Sequence, residues 1–297
     1  RDKLLEHRPQ IMICDVHMPR MNGIEFLRRL LPQYSIPVIV VSAISSSVFD
    51  ALNAGAIDFI SKPSAQVSSV ESFIEELIQK IKIASRAKIV HHPQHAAHST
   101  SGVQAGSDTK LIAIGASTGG TEAITTLLGS LPPDLPGMVV VQHIPPLFSK
   151  LFAERLNQVS PFEVKEAETG DRIEKGRVLI APGNQHLRVK RTGDLFRVEC
   201  FHGERVSGHC PSIDVLFESV AKEAGSQAIG IILTGMGYDG AKGLLAMKRK
   251  GARTIGQDEQ SSVVYGMPKA AFDIGAVEKQ SPLSQIPRVL SRMLSSK

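Results

Sequence analysis

The sequence predicts an α/β protein built from two parallel-sheet domains. Three observations predict it. Residues 1–83 alternate short apolar runs with helical stretches, which implies a parallel sheet. The same alternation resumes at Leu111 and continues to the C-terminal region. Between the two, residues 84–109 are poor in large apolar side chains and rich in Ser, Ala, Gly and His. A chain of 297 residues is long enough to give each part its own core. We therefore expect domains over 1–83 and 110–297, joined by a flexible linker over 84–109.

In the first domain the apolar runs are IMICD (11–15), VIVVS (38–42) and AIDFISKP (56–63). Helical stretches follow around Ile24–Leu27 and Phe49–Ala54. Val70, Phe73, Ile74, Leu77, Ile78 and Ile81 then fall at helical spacing, which predicts an amphipathic helix packed on the sheet. The chain opens at Arg1, within the pattern, so the start of this domain is expected to be missing. In the second domain, strands are expected at 111–117, 138–144, 177–182, 228–236 and 252–258.

Composition narrows the function classes. Hydrophobic content is 42% and charged content 21%, as in an ordinary soluble globular protein. The net charge of +5 is dispersed, with Lys and Arg often beside Glu, and there is no Trp and little Tyr. Both facts argue against a nucleic-acid partner. Cys14, Cys200 and Cys210 lack metal-type spacing, so reduced thiols in a cytoplasmic protein are expected. No apolar stretch has the length of a transmembrane segment. His91, His92, His95 and His98 offer metal-ligand chemistry, but a solvated linker gives no fixed geometry for it.

Ligands of parallel sheets gather at the carboxyl ends of the strands. In the first domain those ends carry Asp15, Ser42 and Lys62. A carboxylate can accept a phosphoryl group, a hydroxyl can bond its oxygens and an ammonium can neutralise it. The segments Asp15-Val-His-Met-Pro19, Asn22-Gly23, Val40-Val-Ser42-Ala43, Ala54-Gly55-Ala56 and Lys62-Pro63 resemble a response-regulator receiver domain. The resemblance implies that Asp15 is the phosphoacceptor, Ser42 the switch hydroxyl and Lys62 the phosphate-facing lysine. It also implies Mg²⁺ for phosphorylation of the intact domain. The acidic pair that receivers use for that ion is not in this sequence, so the chain as it stands is expected to bind Mg²⁺ poorly.

In the second domain LIAIGASTGG (111–120) runs a strand into a glycine-rich turn with Ser117 at the bend. It fits the nucleophile pattern G-x-S-x-G, and a phosphate-binding turn is the alternative. No Lys-Ser or Lys-Thr follows Gly120, and the spelling misses G-x-G-x-x-G. A serine nucleophile needs a base and a carboxylate to orient it. Beyond the linker the histidines are His143, His186, His202 and His209. His143 ends the strand after the serine strand, where neighbouring ends converge; the other three lie in loop-like sequence and are read as surface or structural residues. Asp239, in Leu233-Thr-Gly-Met-Gly-Tyr-Asp239-Gly240, is the candidate acid, with a helix N-cap as an equal reading. Asp171 or Asp194 with His209 is a weaker set in the chain order of α/β-hydrolases.

Six blocks extend the resemblance over the whole chain. They are Ile114–Gly120, Val141–Pro145, Ala181–Leu187, Pro211–Phe217, Thr234–Gly240 and Gln257–Pro268, and they resemble the chemotaxis protein-glutamate methylesterases, the CheB family. The resemblance implies a truncated flavodoxin-like receiver followed by a doubly wound α/β methylesterase domain distinct from α/β-hydrolases. It implies a triad of Ser117, His143 and Asp239, with the N–H groups of Thr118 and Met236 as oxyanion-hole candidates. Methylated chemoreceptors would be the substrates, a chemotaxis histidine kinase the phosphodonor, and the ester reaction would need no cofactor. Deamidation of glutamine side chains is implied as well. Two other classes compete: a phospho-dependent binding module with a silent catalytic domain, and a transcriptional regulator. The size and strand content of 111–297, without a concentrated basic helix, speak against the latter.

Overall fold

The structure is a computed structural model, and it describes residues 2–18, 21–43, 46–63, 70–88 and 109–295. Pro19, most of the expected linker and His91, His92, His95 and His98 lie outside the described residues. Two units divide the chain, Arg1–His91 and His92–Lys297.

The first unit runs α1 (Asp2–His7), β1 (Met12–Asp15), α2 (Gly23–Leu30), β2 (Val38–Ser42), α3 (Ser46–Asn53), β3 (Asp58–Ser61) and α4 (Val70–Ala84). The strands pair in parallel in the order β1-β2-β3. Asn22 caps α2 by accepting the Ile24 N–H at 2.9 Å, and Ile24, Leu27 and Leu30 bury one face of that helix. One expectation needs correction. The apolar stripe of α4 does not pack on the sheet along its whole width: Phe73, Leu77 and Ile81 are half-buried, whereas Val70, Ile74 and Ile78 are 58%, 48% and 45% exposed. The helix rests on β2 and β3, and three strands cover only one edge of so wide a stripe.

The second unit holds β4 (Leu111–Ala116), α5 (Gly120–Gly129), β5 (Gly137–Gln142), α6 (Phe148–Val159), β6 (Glu163–Glu166) and β7 (Arg177–Ile180). It continues through β8 (His186–Thr192), β9 (Leu195–Phe201), α7 (Ile213–Glu223), β10 (Ala228–Ile232) and α8 (Ala241–Arg249). It closes with β11 (Arg253–Gln257), α9 (Met267–Asp273), β12 (Lys279–Ser281) and α10 (Ile286–Ser295). Seven strands form one parallel sheet in the order β12-β11-β10-β4-β5-β7-β6. β4, β5 and β10 are buried at every residue, which is why they read as unbroken apolar runs. Residues alternate across the sheet. Leu111, Ala113, Val139 and Val141 join the core beneath α7, α8 and α9, with Phe217, Leu244 and Met247 opposite them. Ile112, Ile114 and Val140, also buried, belong to the opposite face of the sheet. Burying one such side chain as fully as Phe217 contributes roughly 1.5–3 kcal/mol.

The antiparallel hairpin β8–β9 corrects the loop reading of this region. His186 begins β8 and is 2% exposed, while His202 follows β9 at the surface. The short strands β6 and β12, spelled EVKE and KQS, occupy the two sheet edges, where one-sided burial leaves no apolar run to read.

From β4 the chain moves outward through β5 to the edge strand β6, fills the gap with β7, and then returns to β10 on the other side of β4. The crevice at the carboxyl ends of β10, β4 and β5 is therefore the topological switch point of the sheet, where ligands of such folds bind.

Candidate active site

Ser117 follows the last residue of β4. Its N–H donates to the Thr234 carbonyl at 3.0 Å, which ties the turn to the strand end of β10. Gly119 caps α5 in the left-handed conformation, φ 77°, where a side chain would also strike Val263. Gly235 runs so close to the serine that a β-carbon there would lie 2.6 Å from Ser117 Cβ.

His143 follows β5, and its N–H donates to the Ala116 carbonyl at 3.1 Å. Gln142, 4% exposed, binds the two turns together: its Nε2 donates to the Ser117 carbonyl at 2.9 Å and to the His143 carbonyl at 3.1 Å. The His143 side chain is 8% exposed, with Nε2 2.8 Å from Asp239 Oδ2. Its Nδ1 is buried and, among the described residues, has no hydrogen-bond partner.

Asp239 is 1% exposed and fully bonded. Oδ1 accepts from Ser212 Oγ at 2.8 Å and from the Asp214 N–H at 3.0 Å; Oδ2 also accepts the Ile213 N–H at 2.7 Å. Burial pushes its carboxyl up, but the bond to His143, the His143 charge and the two amides outweigh that and hold it below the usual carboxylate range. The N-cap reading is thereby altered. Gly240 caps α8, and Asp239 instead takes the free amides of the first turn of α7, where a negative charge is favoured. Asp214, 3% exposed, accepts from Gly243 N–H at 2.8 Å and Ser207 Oγ at 2.9 Å. Burial and the neighbouring Asp239 charge raise its carboxyl.

His209 also reaches this site. Its ring stacks on that of His143 with centroids 3.7 Å apart and planes 12° from parallel. Burial above all, with the His143 and Arg205 charges, lowers it to about 4, against the pull of Asp239. His186 holds the segment leading to it: Nε2 lies 2.8 Å from the Glu204 carbonyl oxygen, and Nδ1 accepts the Ser212 N–H at 3.2 Å.

The structure does not bring the alternative acids here. Asp171 pairs with Lys165 and accepts the Glu168 N–H, and Asp194 is exposed in the turn between β8 and β9. Of the oxyanion candidates, Thr118 is 7% exposed and its carbonyl accepts from Thr234 Oγ1 at 3.0 Å. Met236 is half-buried, and its N–H finds no partner among the described residues. Gln142, Ser212 and the stacking of His209 were not singled out by sequence reasoning. A polar residue closing MVVVQ and the cap-like Pro211-Ser-Ile-Asp214 were the available signals.

In the first unit, Asp15 and Lys62 form an ion pair, with side chains 34% and 39% exposed. The hydrogen bond from Lys62 lowers the Asp15 carboxyl, against partial desolvation. The His17 N–H donates to Asp15 Oδ1 at 3.0 Å. Ser42 is buried, its Oγ 3.4 Å from Ser47 Oγ. Among the described residues no group of three or more His, Cys, Asp or Glu could hold a metal ion. One carboxylate paired with an ammonium does not suit Mg²⁺, which wants several oxygen ligands, so these residues alone do not fit that ion. Cys14, Cys200 and Cys210 are free thiols, and burial above all pushes the Cys200 thiol up to about 12. No described helix is long and apolar enough to cross a membrane.

The chain is similar to known proteins over both units. Residues 112–290 match the CheB methylesterase family, and residues 1–73 match the response regulator receiver domain. A protein-glutamate methylesterase/protein-glutamine glutaminase of Syntrophomonas wolfei is 54% identical over 99% of this chain and 87% of its own length. The protein of the same name from Salmonella typhimurium is 44% identical over 100% of this chain and 86% of its own length. The crystal structure of the Thermotoga maritima CheB methylesterase catalytic domain superimposes with a TM-score of 0.61 at 36% identity, covering 62% of this chain and 98% of that one. Fold and relatives together define a carboxylic ester hydrolase carrying a response-regulator receiver domain. The chain belongs to the CheB methylesterase family.

Proposed function

We propose that the protein hydrolyses γ-glutamyl methyl esters on chemoreceptors, and deamidates glutamines there, with Ser117 as nucleophile, His143 as base and Asp239 as its orienting acid. One observation carries the reading: His143 gives Nε2 to a buried carboxylate and keeps Nδ1 buried and unpaired, on the strand end next to that of Ser117. A base needs such a free nitrogen.

In this reading Nδ1 takes the Ser117 hydroxyl proton as Oγ attacks the ester carbonyl. Asp239 fixes the tautomer and stabilises the imidazolium. The Thr118 and Met236 N–H groups face the developing oxyanion; one such donor is worth about 2.7–4 kcal/mol. Collapse of the adduct breaks the C–O bond, and the methoxide leaves as methanol with the proton from Nδ1. Water, deprotonated by His143, then attacks the acyl-enzyme and releases glutamate and Ser117. On glutamine the leaving group is ammonia.

Regulation belongs to the same proposal. Asp15 in a 1–83 receiver accepts a phosphoryl group from a chemotaxis histidine kinase, with Lys62 and Ser42 engaging its oxygens. The 84–109 segment joins the receiver to the 110–297 catalytic domain, and the setting is the cytoplasm. The relatives' names and the receiver match support this reading. The test is mass spectrometry of methylated receptor peptides incubated with the protein. The esters should convert to free glutamates, and esters that persist contradict the proposal.

A further inference from the structure

We infer that His209 is a positioning residue of the esterase, acting through the face of its ring on His143; this rests on His143 being the catalytic base. The segment that carries His209 is built rather than left to solvent. Val206 and His209 exchange both backbone hydrogen bonds at 3.0 Å, across a tight turn with Ser207 at φ 52° and Gly208 at φ 85°. Those two positive angles suit a two-residue hairpin turn. Ser207 Oγ donates to the buried Asp214 carboxylate, while His186 takes hold of Glu204 on one side and Ser212 on the other. The same Ser212 donates to Asp239. The loop that presents His209 and the acid that orients His143 therefore share anchors.

The effect of this anchoring is the near-parallel stack at 3.7 Å. Among the described residues His143 has one side-chain hydrogen bond, through Nε2, and a ring held by a single bond can swing about it. A second flat ring in contact with its face removes that freedom and keeps Nδ1 aimed in one direction. The stack also matters for charge. His143 becomes an imidazolium when it takes the serine proton, and a cation over the face of a neutral ring is favoured. Burial keeps His209 neutral near pH 7, so the contact supplies a ring face and not a second positive charge.

The test is methanol release by the full chain from methylated receptor membranes, comparing His209→Ala, His209→Leu and His209→Phe, with His143→Gln alongside. Leu restores apolar volume without a ring face, and Phe restores the face. Melting temperatures near the parent's show that the variants fold. With KM unchanged, kcat should fall about tenfold in His209→Ala and His209→Leu, the scale of a small misplacement of a reacting group, and His209→Phe should recover most of it. The inference is overturned if His209→Ala stays within about threefold of the parent, the low end for an aromatic contact. It is equally overturned if Leu recovers activity as well as Phe, because His209 would then be a space filler. Activity surviving in His143→Gln would remove the base itself, an outcome that the His209 variants cannot imitate.

Discussion

Asp239 Oδ2 lies 2.8 Å from His143 Nε2 while the same carboxylate accepts two amides of the first turn of α7 and the Ser212 hydroxyl. The acid thus has two tasks. It bonds the His143 imidazole, and it fastens the start of α7 to the sheet ends.

Asp239→Asn separates these tasks. An amide can still bond His143 but carries no charge, and it favours the wrong tautomer. Activity should fall by about 10³-fold or more, on the scale seen when a triad acid becomes an amide. Hydrogen bonds to a charged group contribute about 1.5–3 kcal/mol each, so the melting temperature should fall as well. The carboxyl is held low in the fold, so its contribution is complete above the unfolded value of about 3.9 and fades as pH falls through the lower folded value. A stability–pH curve for the variant should lack that acid limb.

Gln142→Ala should lower kcat by about tenfold to a hundredfold with KM little changed, because one side-chain amide clamps the carbonyls of both Ser117 and His143. Steady-state kinetics checks this, and an equal rise in KM would contradict it.

Gly235→Ala should give a folded protein with little activity. Its methyl group would sit 2.6 Å from Ser117 Cβ and 3.1 Å from the Ser117 nitrogen, so the serine turn must shift. A displacement on this scale costs about 10²-fold. Circular dichroism alongside the kinetics separates the local shift from unfolding.

His209 sets a pH dependence of stability. Its folded value is about 4 and its unfolded value 6.5, so between these limits the unfolded chain binds more protons. Stability should be full above about 6.5 and decline as pH falls towards about 4. The groups facing the ring are His143, Asp239 and Arg205. His209→Phe should flatten this limb in thermal melts taken across that range.

Much of this was legible in the sequence. The buried strands β4, β5 and β10 announce themselves because a sheet covered on both faces must be apolar at every position. The strand-end rule then leads to Asp15, Ser42, Lys62, Ser117 and His143 without any knowledge of distances. The edges β6 and β12 were not legible, since polar residues suffice there. Nor was the partial exposure of α4, because periodicity reports an apolar face but not how much sheet is available to cover it. His209 lay in a stretch that reads as a loop, FHGERVSGHCPS, and only tertiary anchoring by His186, Asp214 and Ser212 makes it part of the site. The cap reading of Asp239 fails for the helix that follows it, which Gly240 caps, because the amides that Asp239 accepts belong to α7, a helix that starts before it in the chain.

The most direct test of the central claim is methanol release from radiolabelled methylated receptor membranes, measured for the protein and for Ser117→Ala. The account predicts release by the parent and none above background from the variant. Release that survives the loss of the Ser117 hydroxyl would contradict it.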